Sequence, residues 1–218
     1  MSRIAIVGGH GQIARHLIHD LRRSDHDPVA LVRKEEYRAE LESRGAEVRL
    51  LDIEQQDAAA FAAAFEGCAA VVFAAGGGPD GNAERKRTVD LEGSLKSIEG
   101  ARLAGISRFV QVSASGMDDP LPADTGAVWR AYVEAKRDAD IALRASDLDW
   151  TIIRPGILTD DPATGLVSLA AELPKADVTR ADVAAVLAVV LDSPRSIGRQ
   201  WDLMGGDTPI AEAVASAG

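Results

Sequence analysis

"RIAIVGGHGQIA" (residues 3–14) runs from an apolar, β-branched segment through three glycines into a helical pattern. The pattern continues in "QIARHLIHDL" (12–21), where Ile13, Leu17, Ile18 and Leu21 fall on one helical face. A strand that turns through glycines into an amphipathic helix aims free helix N–H groups and the positive dipole end at whatever lies beyond the strand. That geometry suits a diphosphate. The spacing satisfies Gly-x-Gly-x-x-Ala through Gly9, Gly11 and Ala14, and Gly-x-x-Gly-x-x-Ala through Gly8, Gly11 and Ala14. Gly8 or Gly9 lets the chain turn, Gly11 permits close approach of the pyrophosphate, and Ala14 lets the helix pack on the sheet. The backbone N–H groups of Gln12 and Ile13 are the expected donors. His10, with no metal-ligating neighbours in sequence, reads as a side chain of the phosphate loop.

Outward from this loop the alternation repeats. "PVALV" (28–32), "AEVRLL" (46–51), "AAVVFA" (69–74), "RFVQVS" (108–113) and "DWTIIR" (149–154) read as strands. "KEEYRAELESRG" and "DAAAFAAAFEG" read as helices ending on Gly45 and Gly67, both suited to C-caps. The order predicts an α/β fold, a doubly wound Rossmann-type parallel sheet with helices on both faces and right-handed crossovers. In such a sheet ligands lie beyond the carboxyl ends of the strands, where strand order reverses. After residue 156 the pattern loosens into the turn-rich "DDPATG" and then "LVSLAAELPKADV". Thr179 and Asp182 form a helix-start signal at "TRADVAAVLAVVL", and "RQWDLMGG" adds a last strand. The expectation is a single domain over residues 1–218, with 156–180 as a small C-terminal substrate lobe packed on it.

Composition narrows the function classes. A net charge of −10 with no basic patch argues against nucleic acid and against an anionic membrane surface. The one cysteine, Cys68, allows neither an internal disulfide nor a cysteine-based zinc site, and reads as a small buried core residue. No His/Asp/Glu spacing suggests a metal. "MSRIAIVGG" lacks a signal peptide's layout, and no apolar stretch approaches the roughly 20 residues that span a bilayer. The expected partner is a small molecule and the expected compartment a reducing cytoplasm.

The ends of the strands suggest which dinucleotide is held. An acid closing the second strand would bind an adenosine 2′-hydroxyl, but this strand ends "LVRKEE". Arg33, with Lys34 beside it, offers a planar cation for a 2′-phosphate, so NADP(H) is favoured over NAD(H). Asp52 and Ile53 close the third strand where an adenine would rest. Ala74, Ala75 and Gly76 open the run "AAGGG", whose small side chains leave room for a ribose.

A second cluster lies farther along the same edge. "YVEAK" (132–136) holds one of two tyrosines, four residues before a lysine. Chance alone gives about 0.05 Tyr-x-x-x-Lys matches in a chain of this composition. Tyr132 and Lys136 share one face of a helix expected over 127–145. Ser113 and Ser115 end the preceding strand in "VSASG", where one of them can approach that helix. A free phenol ionises near pH 10, and an adjacent ammonium lowers that value. A serine hydroxyl can orient a substrate oxygen, and Lys136 can also bond a cofactor ribose. Trp129 is read either as a pocket wall or a packed loop anchor, and Arg154 either as a ligand contact or a structural ion pair.

"VGGHGQIA", "VSASG", "YVEAK" and "TIIRPG" together resemble the atypical short-chain dehydrogenase/reductases, the NAD(P)-binding, NmrA-like and epimerase-related group. The resemblance runs on through "TRADVA" and "WDLMGGDTPI". It implies that Tyr132 and Lys136 are the catalytic pair, that Ser115 is the catalytic serine, and that Pro155, Gly156 and Ile157 close over the nicotinamide. The fourth strand ends "AAGG" where related enzymes often carry an asparagine turn, and the lobe is short for a sugar-nucleotide epimerase. The leading expectation is an NADPH-dependent oxidoreductase acting on a small carbonyl compound. A non-catalytic NADP(H) sensor and an epimerase or dehydratase with tightly bound NAD(P) are the alternatives.

Overall fold

The computed structural model describes residues 1–217. Strand β1 (Ser2–Val7) passes through the glycine loop into helix α1 (Gln12–Arg23), then β2 (His26–Val32) and a short 3-10 turn at Glu35–Tyr37. There follow α2 (Arg38–Ser43), β3 (Glu47–Leu50), α3 (Ala58–Ala64) and β4 (Ala70–Phe73). A single turn, α4 (Ala83–Arg85), widens into a π-helical stretch over Lys86–Leu91 before α5 (Glu92–Leu103). Next come β5 (Arg108–Val112), α6 (Ala127–Arg144), β6 (Asp149–Pro155) and β7 (Ile157–Thr159). The chain continues through β8 (Leu166–Ala170), β9 (Asp177–Thr179), α7 (Arg180–Leu191), β10 (Arg199–Gly205), β11 (Thr208–Pro209) and α8 (Ile210–Ser216).

Nine strands form one sheet in the order β11-β8-β10-β6-β5-β4-β1-β2-β3. From β3 to β10 every pairing is parallel, whereas β8 runs antiparallel to β10. The chain moves outward from β1 to β3 and then returns to the other side of β1 at β4. Strand order therefore reverses between β1 and β4, as the doubly wound reading requires.

Alternation within the strands builds two cores. Ile4 and Ile6 face one layer with Ala14, Leu17, Ile18 and Leu21 of α1 and Val183, Leu187 and Val190 of α7. Ala5 and Val7 face the other, with Phe61 and Phe65 around α3 and Leu143 of α6. Both faces are covered, which is why the strands read as continuous apolar runs. Each fully buried Leu or Ile contributes about 1.5–3 kcal/mol of transfer free energy. Gly45 and Gly67 close their helices with φ of +89° and +74°, values only glycine adopts without strain. The Thr179 hydroxyl accepts from the Asp182 N–H at 2.9 Å and caps α7.

Three elements depart from the sequence-based expectation. Cys68 is half-buried, because it sits in the turn before β4 rather than within it. The 34–45 helix begins as a 3-10 turn and its α-helical part is only Arg38–Ser43. The loosened segment after 156 supplies β8 to the main sheet, while β7 and β9 pair separately. Among the described residues no helix is long and apolar enough to cross a membrane.

Candidate active site

Two cavities open along the carboxyl edge of the parallel strands and meet at Ala74, Ala75 and Gly76, beside the point where strand order reverses. The first, of about 290 Å³, lies over β1 to β4 and is bounded by Gly8, His10, Gly11, Arg33, Tyr37, Asp52 and Ile53. The second, of about 700 Å³, lies over β4 to β6 and is bounded by Lys86, Asp90, Ser113, Ser115, Trp129, Tyr132, Lys136, Pro155, Gly156 and Ile157.

The three loop glycines do different work. Gly8 turns the chain with φ of +82°, and a Cβ there would meet Ala75 at 2.8 Å. Gly9 faces away from the cavities: it is buried, and a Cβ would press on Ala30 at 2.7 Å. Gly11 is exposed with ordinary backbone angles and precedes α1, whose opening N–H groups have no acceptor within the helix. Gln12 and Ile13 supply two of those N–H groups, while their side chains stand outside both cavities. The floor of the groove is thus a cradle that side chains would fill, which fits a dinucleotide backbone.

Gly11→Val tests that fit. A Cβ at Gly11 meets only the Gly8 carbonyl, at 3.1 Å, and a more distant backbone oxygen, so the fold tolerates it after a slight shift. The branched side chain then stands where the diphosphate would approach. Affinity for NADPH and NADH, read by fluorescence titration, is expected to fall together by at least about tenfold, as for a lost charge-assisted contact. Normal binding of both would reduce the loop to a structural turn.

Several side chains singled out from the sequence are engaged elsewhere. The His10 imidazole stacks on Tyr37 at 3.7 Å between ring centroids and meets Glu40 at 3.1 Å. Asp52 accepts N–H bonds from Glu54 and Gln55, closing the turn after β3. Ile53 packs against Gly93, at which a Cβ would lie 2.5 Å away. Lys34 is held by Glu36 at 2.9 Å and lies outside the cavity. Arg33 is different. It is exposed at the cavity wall and has no hydrogen-bond or ion-pair partner among the described residues.

In the second cavity the two serines separate. Ser113 donates to Asp140 at 2.8 Å, so its hydroxyl is spoken for. Ser115 is buried and its hydroxyl has no hydrogen-bond partner among the described residues. Both backbone N–H groups bond β6 and its end, through the Ile153 and Pro155 carbonyls. Lys136 is enclosed, donates to the Val112 carbonyl at 3.2 Å and lies 3.4 Å from Asp90. Burial pulls its ammonium down, but Asp90, Tyr132 and Asp140 outweigh that and hold it above its ordinary value. Trp129 lines the cavity at 48% exposure, its ring 5.2 Å from that of Tyr132, so the pocket-wall reading prevails. Gly156 is held by space: a Cβ would meet the Ala176 carbonyl and the Met204 sulfur, both closer than 2.5 Å.

Lys136 does pull the Tyr132 pKa down, as expected, but it does not set the net direction. Burial raises the phenol above its ordinary value, and the negative charges of Asp90 and Asp140 reinforce it against Lys136. Tyr132 therefore keeps its proton at neutral pH. Such a group is poised to give a proton rather than take one.

Sequence reasoning missed Lys86, Asp90, Asp140 and Lys175. Asp90 is 1% exposed, accepts the Gly77 N–H at 2.8 Å, and ties the glycine run to Lys136. It lies in the π-helical stretch, a distortion found often at functional sites. The following helix buries Gly93, Ser94, Ser97, Gly100 and Ala101, so no apolar stripe announced it. Arg154 proves structural, bonded to Asp140 at 2.9 Å and Asp118 at 2.6 Å. Among the described residues no group of three or more His, Cys, Asp or Glu could hold a metal.

Residues 8–194 match a family of NAD(P)H-binding proteins. YhfK of Bacillus subtilis strain 168, described as an uncharacterized sugar epimerase, is 42% identical over 217 residues, 97% of this chain and 98% of that protein. A solved structure from Bacillus halodurans, provisionally described as an NAD-dependent epimerase/dehydratase, is 40% identical with a TM-score of 0.92, over 99% of this chain and 100% of that one. The oxidoreductase ylbE of Lactococcus lactis is 28% identical with a TM-score of 0.85, over 98% and 95%. The chain belongs to this NAD(P)H-binding, Rossmann-fold family, within its epimerase- and reductase-like short-chain dehydrogenase group.

Proposed function

We propose that this protein is an NADPH-dependent reductase of a small carbonyl compound, with Ser115, Tyr132 and Lys136 as its catalytic residues. One observation carries the reading. A buried, unpartnered Ser115 hydroxyl shares a cavity with a phenol that keeps its proton, and that cavity continues into the glycine-floored groove.

Gly8, Gly11 and the opening N–H groups of α1 hold the diphosphate, Arg33 holds the adenosine 2′-phosphate, and Ile53 and Ala74 to Gly76 border the adenosine. The dinucleotide, when bound, supplies hydride. Ser115 donates a hydrogen bond to the acceptor's carbonyl oxygen and fixes it beside Tyr132. As that oxygen gains charge, Tyr132 transfers its proton to it, giving the alcohol, and is reprotonated from solvent. Lys136, still an ammonium, stabilises the transient phenolate. Residues 156–180 serve as a small substrate lobe of a single domain, bringing Ile157, Leu158 and Lys175 to the cavity.

Epimerisation through transient oxidation is the second reading, supported by the descriptions of the relatives. Its first step needs Tyr132 as a base, and a phenol raised by burial is ill suited to that role. A screen of NADPH oxidation against aldehydes, ketones and quinones tests the reductase reading. Absence of turnover with every acceptor counts against it.

Cofactor preference rests on Arg33. The protein is expected to bind NADPH at least about tenfold tighter than NADH, a typical value for one charge-assisted phosphate contact. Arg33→Asp should weaken NADPH strongly and NADH little, because attraction becomes repulsion only where a 2′-phosphate is present. Equal affinities in the unmodified protein would remove Arg33 from that role.

A further inference from the structure

The outer part of the second cavity carries a charge pattern that the rest of the molecule does not. The chain has a net charge of −10, yet this cavity is lined by three lysines and one carboxylate. Asp90, the carboxylate, is already placed against Lys136 and the Gly77 N–H. Lys86 is buried, donates to the neutral Gly78 carbonyl and has no ion-pair partner among the described residues, Asp80 acting on it only at longer range. Lys175 has no ion-pair partner among the described residues; its ammonium lies 6.0 Å above the centre of the Trp129 ring. Cationic walls in a low-dielectric cleft concentrate anions even on an acidic protein.

Lys175 and Trp129 also mark where the cavity ends. Beyond them lies an adjoining cavity of about 480 Å³ that shares Ser115, Met117, Trp129 and Lys175. Its walls carry Asp118, Asp119, Glu172 and Asp202 against Arg154, which Asp118 and Asp140 already engage. An anionic group is favoured at Lys175 and opposed farther on. Between Lys175 and Tyr132 stands the exposed indole of Trp129, with Met117, Val128 and Leu158 among the remaining apolar walls. The space between the reacting end and the cation is thus bordered by one flat indole face and apolar side chains.

We propose that the substrate is a compact planar carbonyl compound bearing one anionic group, its flat body against Trp129 and its anion on Lys175. This rests on the reading that the second cavity takes the substrate, and it adds a specificity residue and a substrate class to it. The anion is a carboxylate or a phosphate, which share the recognition by a single ammonium.

The test is calorimetric titration of the protein saturated with NADP⁺, using benzoate, phenyl phosphate and neutral benzamide as probes. One or both anions should bind at least about tenfold tighter than benzamide at low salt, with the gap narrowing as salt rises. The tighter anion names the group. Lys175→Met and Lys175→Gln should abolish the gap and Lys175→Glu should invert it. Trp129→Ala should weaken all three probes together. Retained NADP⁺ affinity certifies that each variant is folded. Equal binding of benzamide and both anions, a gap that survives in both neutral Lys175 variants, or no binding of any probe overturns the proposal. The readout needs no turnover, so failure of NADPH oxidation with every carbonyl would remove the reductase reading and leave this result standing.

Discussion

Tyr132→Phe is expected to lower kcat for NADPH-dependent carbonyl reduction by about 10²–10⁴-fold, the usual contribution of one positioned acid. Affinity for NADPH should stay within about twofold, because the change removes one hydroxyl and little volume. The phenol's contribution exists only as the acceptor oxygen gains charge, so its loss belongs in kcat and not in cofactor binding. The pH profile adds a second readout. Burial, Asp90 and Asp140 hold Tyr132 above its ordinary pKa of about 10, so the acid form persists through neutral and mildly alkaline solution. Reduction should therefore show no loss assignable to Tyr132 below about pH 10. Lys136→Met should lower turnover too, and should also weaken NADPH if the ammonium reaches the ribose. Stopped-flow oxidation of NADPH with the best acceptor from the screen reads all three quantities. Turnover undiminished in Tyr132→Phe would rule out Tyr132 as the acid and move the balance toward a protein that binds NADP(H) without reacting.

The parts of this site that were legible in the sequence are those whose chemistry demands a fixed local spacing. Gly8, Gly11 and Ala14 are set by the turn from β1 into α1, and Tyr132 and Lys136 by one turn of α6. Both patterns report local geometry, so the sequence carries them directly. The resemblance chose Ser115 over Ser113, but the physical cause of the split was not legible, because it depends on Asp140, twenty-seven positions after Ser113, reaching back across the α6–sheet interface. The side-chain partners of His10 and Asp52 were hidden for a related reason: both residues line the groove, but each also bonds a group on α2 or in the next turn. Asp90 was invisible for another. The helix that follows its π-helical turn packs through glycine, serine and alanine, which permit close approach but leave no apolar periodicity to read.

Asp140 gives the sharpest test of the part that only the fold reveals. Its side chain is fully buried and accepts from Gln111 at 2.7 Å, Ser113 at 2.8 Å and Arg154 at 2.9 Å. Gln111 in turn accepts from Ser94, so the carboxylate anchors α5, β5, α6 and β6 at one point. Asp140→Ala removes the acceptor and leaves Arg154, which is 5% exposed, with the solvent-facing Asp118 as its one ion-pair partner among the described residues. Breaking a buried pair on one side costs about 3–5 kcal/mol, because the surviving charge is stranded. Retention of Asp118 places the expectation near the lower end, at about 3 kcal/mol. Arg154→Met should also destabilise, since it leaves the carboxylate with two neutral donors. The double variant is the discriminating case. With both charges gone and methionine filling the guanidinium's space, it should be less destabilised than the sum of the two single variants. Urea denaturation of the four proteins measures this coupling. Strict additivity would mean that Asp140 and Arg154 act independently, and the ion pair would then not be what locks α6, and with it Tyr132 and Lys136, against β6.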